Sequence, residues 1–320
     1  LTIFAIVLGN AYANGTSTRP AWMIQIFNIL LWGVMFMSLV RIPDEKKGKL
    51  INNIGMFLLV VMAYVRIDFF GVPLNRWSSD IIIMILANIA IWGGLIWMFT
   101  KDSLKLRWLV LFFIAGIKAV SSYAPEALAW VPQMSFIGWF FNWAYLQYLV
   151  IALAGSIVGD MLLTQSRKNE TVDIDNNHIA AGIIALVAAL VQLWGLFTRN
   201  VLADFIISAI LGAAFIALTI KRRNVMTDIG YIGFALMLIG IIFDPIDGGI
   251  TKDHCNLSYM LTTTGMTALT GAFVLALELK WNIKGRGLSG SGQNPMLAYT
   301  VTNFLTGPVL AMIGVGAWLD

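Results

Sequence analysis

Runs of about twenty apolar residues recur along this 320-residue chain with short polar breaks between them, and no other feature limits its fold so strongly. One such run, coiled as a helix, crosses ~30 Å of hydrocarbon. In lipid every backbone N–H and C=O must find a partner within the chain, which leaves helices or a closed barrel. The two-residue alternation of barrel strands is missing. The runs fall near 20–40, 52–66, 80–99, 105–122, 142–164, 178–197, 201–220, 225–243, 257–279 and 295–318, with a shorter run at 1–13. The expected fold is an all-α, polytopic transmembrane helical bundle of about ten full spans plus a partial N-terminal span. The breaks are mostly under about fifteen residues, so 1–320 reads as a single membrane domain. The short opening run, with no Met before it, leads to the expectation that spans of the full protein precede Leu1.

Charge gives the direction of the spans. Only 12% of the residues are charged, against 59% hydrophobic, and the formal net charge is +4. In a soluble chain that excess would suggest nucleic acid, but here the basic residues lie in the breaks and have a topological meaning, so no nucleic-acid partner is expected. One set of alternate loops holds fifteen: Arg41, Lys46, Lys47, Lys49, Lys101, Lys105, Arg107, Arg167, Lys168, Lys221, Arg222, Arg223, Lys280, Lys284 and Arg286. The other set holds six: Arg19, Arg66, Arg76, Lys118, Arg199 and Lys252. The fifteen-residue side is assigned to the cytoplasm. We use inner and outer in that sense below.

Several chemistries drop out. The single cysteine, Cys255, excludes an internal disulfide framework and a cysteine-based zinc site. There is no phosphate-binding P-loop, dinucleotide fingerprint, His-Glu metal motif or nucleophile elbow, and no metal is expected. Inverted repeats, the usual mark of secondary transporters, are not evident.

Two polar stretches interrupt the apolar pattern. The first, DPIDGGITKDHCNLSY at 244–259, lies on the outer side. Gly248 and Gly249 allow a tight turn, Pro245 helps to end the preceding helix, and Asn256 or Asp253 can cap the next one. Asp244, Asp247, Lys252, Asp253 and His254 together exceed what a turn needs. Ser258, Tyr259, Thr262 and Thr263 carry the polarity onward along one helical face, which is expected to line a wet cavity. Asp247 and His254 are candidate proton acceptors; Asp244, Lys252, Ser258 and Tyr259 are candidate substrate contacts. A solvated loop closed by its own ion pair accounts for the same residues.

The second stretch, GRGLSGSGQNPMLAY at 285–299, lies on the inner side. Asn294 as cap and Pro295 in the first turn present helix N–H groups suited to an anion, with Lys284 and Arg286 nearby. Gln293 and Tyr299 flank that start. An ordinary capped helix beside positive-inside residues is the plainer account. Further along, Gly307 and Pro308 fall mid-span, where a kink is expected, and Thr300, Thr302, Asn303 and Thr306 suggest a face turned from lipid. Trp130, Trp139 and Trp143 read as an interfacial aromatic belt, or else as a stacking platform for a sugar. Asp160, near the inner end of its span, must pair with a basic residue or point into the bundle. His178 beside Asp175 reads as helix capping.

Two stretches, ITKDHCNLSYMLTTTGMTAL and GQNPMLAYTVTNF, resemble the C-terminal part of the heparan-alpha-glucosaminide N-acetyltransferase family and its bacterial relatives of unassigned function. The shared features are Lys252 in a short outer loop, Leu257 to Tyr259 at the next helix start, and Gly292 with Asn294 opening a later span. WAYLQYLVIALAGSIVGDMLL is similar to a mid-chain stretch of the bacterial relatives. The likeness is scattered over 142–305. It implies a membrane-bound acyltransferase in the bacterial cytoplasmic (inner) membrane. Acetyl-CoA is the implied donor, engaging from the cytoplasm, and a sugar or glycan amine or hydroxyl outside is the implied acceptor. The implied partners are therefore the lipid bilayer, a CoA thioester and a glycan, and a homo-oligomer is compatible with the sequence. The family's catalytic His, in an outer loop near its N-terminus, has no counterpart in this chain. The competing expectation is a transporter or flippase-like protein that binds an anionic or carbohydrate ligand without covalent chemistry.

Overall fold

The computed structural model describes residues 19–72, 81–123, 137–168, 172–252, 255–283, 292 and 299–314. Among them the regular structure is helical throughout. The long helices are α1 (Ala21–Leu39), α2 (Glu45–Asp68), α3 (Ile81–Thr100), α4 (Leu104–Tyr123), α5 (Leu149–Lys168), α6 (Asn176–Thr198), α7 (Val201–Thr219), α8 (Val225–Phe243) and α9 (Leu257–Trp281). A last stretch turns as a π-helix over Thr302–Thr306 and continues as α10 (Gly307–Met312). Eight helices of the described residues are long and apolar enough to cross a membrane, the short turn Trp143–Leu146 counting with α5. Helix α4, with Lys105, Arg107 and Lys118 in its 20 residues, falls outside that number. Large apolar side chains lie on the outside, Phe197 at 89% and Phe99 at 83% exposure. In water such a surface would aggregate; in a bilayer it is the lipid-facing side. The protein is an all-α, polytopic integral membrane protein. The partial run at 1–13 lies outside the described residues.

The chain forms two compact units, one of Leu1–Ala90 with Gly285–Asp320 and one of Ile91–Lys284. In the first, α1 and α2 pair as a hairpin. Asp44 caps α2, its Oδ1 accepting from the N–H groups of Lys46 and Lys47 at 3.1 Å each. Where the two helices meet, a Cβ on Gly55 would stand 2.6 Å from the Ser38 nitrogen, so only glycine fits. Phe27, Leu31, Met35, Leu59, Ile83 and Phe304 form the core. At the outer end the Arg19 guanidinium lies 4.3 Å from the centre of the Phe69 ring and donates to the Phe69 carbonyl at 3.1 Å.

The last span departs from helical regularity where Gly307 and Pro308 predict it. Pro308 has no N–H to give, and the preceding five residues widen into the π-helix, with the Gly307 N–H bonding to the Thr302 carbonyl. Its polar face needs correction. Thr300, Phe304 and Pro308, spaced by four, are buried, and the Thr300 hydroxyl donates to the Met35 sulfur at 3.6 Å. Thr302 and Thr306 point outward. The threonines two apart cannot share a face at helical spacing.

In the second unit α9 runs through the packing of α6 and α8. Helix α8 meets α9 across glycines. A Cβ on Gly265 would lie 2.5 Å from the Met237 nitrogen and 2.6 Å from the Gly233 carbonyl oxygen, and one on Gly240 would lie 2.6 Å from the Thr262 nitrogen. The two backbones therefore touch, as membrane helices do where small residues let them. Ala181, Ala185 and Ala188 of α6 and Ala272 and Ala276 of α9 continue the same close fit.

The inner ends of this unit are tied by charge. Arg107, fully buried on α4, forms an ion pair with Asp160 of α5 at 2.6 Å, and its other N–H groups go to the Thr100 hydroxyl and carbonyl and the Ser156 carbonyl. The Trp97 indole N–H reaches the same carboxylate at 3.1 Å. That is the partner Asp160 required. His178 closes a capping box with Asp175, its other ring nitrogen faces the Arg222 carbonyl at 2.8 Å, and Arg222 pairs with Asp175. Lys280 donates to the Ile174 carbonyl at 2.8 Å. Basic residues counted on one side of the membrane thus meet at one end of the unit. Because each nitrogen of Arg107 is engaged, Arg107→Met leaves a carboxylate stranded and is expected to cost about 3–5 kcal/mol. Arg107→Met with Asp160→Leu should cost far less, measured as unfolding temperatures of the two purified variants in the same detergent.

Candidate functional site

Most of the polarity in the outer loop is spent on the loop itself. Helix α8 ends at Asp244, whose carbonyl accepts from Gly249 N–H at 2.8 Å and whose carboxylate accepts from Ile250 N–H at 2.6 Å. Gly248 (φ +77°) and Gly249 (φ +104°) supply the backbone that this return needs. Asn256 caps α9 through Tyr259 N–H at 3.2 Å and also takes Thr251 N–H at 3.4 Å. Asp247 adds a second cap, its Oδ2 accepting from Ser258 N–H at 2.7 Å. A carboxylate there also meets the positive end of the α9 dipole. The loop is a closed knot of caps, with Asp244 and Asn256 buried and Lys252 exposed at its tip.

What lies under the knot was not visible in the loop sequence. Lys118, buried on α4, donates to the Gln147 side-chain oxygen at 2.7 Å and is within electrostatic reach of Asp247 and Cys255. The Tyr148 hydroxyl hydrogen-bonds with Cys255, and Tyr259 lies close enough to interact with it. Trp143 sends its indole N–H to the Ser121 hydroxyl at 3.1 Å, half-buried between the two segments. Lys118, Gln147, Tyr148, Asp247, Cys255 and Tyr259 thus converge from four segments at the outer end of the second unit. Cys255 sits in a left-handed conformation (φ +42°) that tucks its side chain inward. Burial pushes its thiol up, against the hydrogen bond with Tyr148 and the charge of Lys118, which pull the other way.

The polar face of α9 divides in two. Ser258 and Thr262, expected to be wet, are fully buried against Gly240 of α8, and neither hydroxyl has a partner. The face one step round is the open one. Thr263, Thr264, Thr267 and Thr270 line a groove of about 920 Å³ between α5, α8 and α9, walled by Ile151, Leu236 and other apolar groups. Their hydroxyls donate to carbonyls of the preceding turn, at 2.7 Å for Thr263 and Thr264, 2.8 Å for Thr267 and 2.9 Å for Thr270. Each oxygen therefore keeps acceptor capacity toward the groove. From Thr263 to Glu278 the groove follows α9 for about 22 Å at ~1.5 Å per residue. Its outer end lies one turn below the cluster, since Thr263 follows Tyr259 by four residues and Ile151 follows Tyr148 by three.

The remaining sequence candidates are scattered. Tyr299 is half-buried against the α1 core of the first unit. His254, Lys284, Arg286, Gln293, Asn294 and Trp130 lie outside the described residues, as does the Trp139 side chain. Lys118 could have been found, because an ionisable residue inside an apolar span is a site candidate by default. Gln147 and Tyr148 carry no such signal. Among the described residues no three His, Cys, Asp or Glu side chains come together to hold a metal.

A family model described as "Domain of unknown function (DUF5009)" matches residues 1–162, half of the chain. The chain belongs to the DUF5009 family. No curated protein and no solved structure matches it. The part that matches DUF5009 brings Lys118, Gln147, Tyr148 and the Arg107–Asp160 pair; Asp247, Cys255, Tyr259 and most of the groove come after it. The cluster of this DUF5009 member thus draws on both parts.

The sole cysteine makes the cluster easy to probe. A buried thiol of raised pKa is mostly protonated near neutral pH, and the thiolate is the species that alkylates. Native protein at about pH 7.5 should therefore react with iodoacetamide at least ten-fold more slowly than unfolded protein, read by intact mass, and the ratio should narrow as pH rises.

Proposed function

We propose that this protein transfers an acyl group from acyl-CoA to a sugar or glycan acceptor on the outer side of the membrane, with the cluster around Lys118 and Asp247 as the acceptor site. The observation that carries this reading is the threonine-lined groove whose outer end lies one helical turn from that cluster. A pantetheine arm is long and narrow, and its two amide N–H groups need acceptors in otherwise apolar surroundings, which is what the threonine oxygens offer. The resemblance of 142–305 to transmembrane acetyltransferases supports the same reaction. The inner bacterial membrane is the proposed location.

In the reaction the acceptor's amine or hydroxyl attacks the thioester carbonyl, a C–N or C–O bond forms, the C–S bond breaks, and CoA leaves as the thiol. Three tasks follow for the protein. Asp247, with His254 seven residues on in sequence, takes the acceptor's proton, which then passes to the departing CoA thiolate. The Lys118 ammonium and the Tyr148 hydroxyl are the donors for the oxyanion that develops on the carbonyl. Gln147 fixes the ammonium, and Lys252 and Tyr259 contact the acceptor. Asp244 holds the loop that presents them.

The test is release of free thiol when purified protein meets acetyl-CoA and glucosamine. Wild type should release it. Lys118→Met should lower kcat at least a hundred-fold, the scale of losing one oxyanion donor, about 2.7–4 kcal/mol. Thr264→Phe, which fills the groove, should raise KM for acetyl-CoA about ten-fold and leave KM for the sugar unchanged. No thiol release from well-folded wild type with any amino sugar or glycan would overturn the reading in favour of ligand binding without chemistry.

A further inference from the structure

A second polar site lies beside the outer loop, away from the cluster and the groove. Asp204 stands in the first turn of α7 and is 2% exposed. Helix α6 makes room for it at Gly195, where a Cβ would come within 2.4 Å of both Cγ and Oδ2 of the carboxylate. Among the described residues the Ser208 hydroxyl donates to it, at a long 3.4 Å to Oδ1. Gln192, three residues before Gly195 on α6 and wholly buried, turns toward the same carboxylate. Neither Oε1 nor Nε2 of Gln192 reaches a partner at hydrogen-bond distance.

The charges facing this place do not balance. Asp244, at the end of α8, is near enough for its charge to act on Asp204. Arg199, at the end of α6, donates instead to the Ile250 carbonyl at 3.3 Å and lies beside Gly249. Two carboxylates and one guanidinium leave one negative charge in a buried setting, where an unpaired carboxylate is costly. A buried amide with both ends unmet beside a buried carboxylate leaves polar atoms on both that a further ligand would satisfy. The donors are all hard oxygens: two from Asp204, one from Gln192 and one from Ser208. Such a set suits a hard cation, and one adjacent carboxylate suits a single positive charge. We propose that Asp204, Gln192 and Ser208 form a binding site for a monovalent cation, sodium or a proton.

Thermal unfolding of the purified full chain in detergent tests this, since a ligand held only by the folded state raises Tm with its concentration. With choline chloride holding ionic strength constant, sodium should raise the wild-type Tm saturably. Asp204→Asn should abolish the rise, and Gln192→Leu should shift half-saturation at least ten-fold. A proton as occupant gives a different pattern: no response to sodium, and a wild-type Tm that falls as pH rises from the ordinary carboxylate value of about 4 through the folded-state value and is level above it, where Asp204→Asn stays level throughout. Gln192→Leu keeps the carboxylate and answers the question even if Asp204→Asn does not fold. It must move either the sodium half-saturation or the pH midpoint, by ten-fold or one pH unit. If neither moves, or if Asp204→Asn responds to sodium and pH as wild type does, the site is overturned.

Discussion

Contact between the backbones of α8 and α9 is the constraint on which the second unit depends. Lipid chains are as apolar as leucine, so helices in a bilayer gain little from burying leucine against leucine; they gain from close packing and from polar groups they can satisfy together. Gly233, Gly240 and Gly265 allow that approach, and no side chain can replace Gly240 or Gly265 without moving a backbone. Once the helices are that close, the connection between them must reverse sharply at the outer surface. That reversal is the reason for two glycines with positive φ and for carboxylates that take up the loop's own N–H groups.

The same contact decides which face of α9 remains available. Thr262 and Ser258 are consumed in the seam, and Thr263, Thr264, Thr267 and Thr270 are rotated outward to face α5. Helix α5 is in turn held to α4 by the Arg107–Asp160 pair at the inner end and approached by Lys118–Gln147 at the outer end. A groove bounded by three helices, with polar side chains one turn beyond its outer end, is the result. On the proposed reading the donor's arm lies along it and the acceptor arrives from outside, so that bond formation takes place where lipid, loop and water meet.

The spans were legible because the apolar runs are long and the breaks carry most of the charge. Helices α8 and α9 begin where the sequence puts them, at Val225 and Leu257, and the caps Asn256 and Asp175 with His178 are those the residue types foretell. Helix α2 starts seven residues before its apolar run, at Glu45, because Asp44 caps it and Lys46, Lys47 and Lys49 extend it past the hydrocarbon. The site was half legible. Spacing showed that Ser258, Thr262 and Thr263 lie on one side of α9, but only the position of Gly240 determines which of them is sealed. Lys118 and Gln147 meet across a loop, 29 residues apart, and nothing local in either segment announces the partner. Asp204 and Gln192 belong to apolar runs that read as ordinary spans, and the place of the Asp204 carboxylate against α6 depends on a glycine, Gly195, whose purpose appears only in three dimensions.

The central claim is that the groove between α5, α8 and α9 leads a donor to the outer cluster. A structure of the protein in a lipid nanodisc with a non-hydrolysable acetyl-CoA analogue tests it most directly. The account predicts density for the pantetheine arm against Thr263, Thr264 and Thr267, with the acyl end beside Lys118 and Tyr148. Analogue bound with its arm elsewhere, and the groove filled by lipid or side chains, would contradict it.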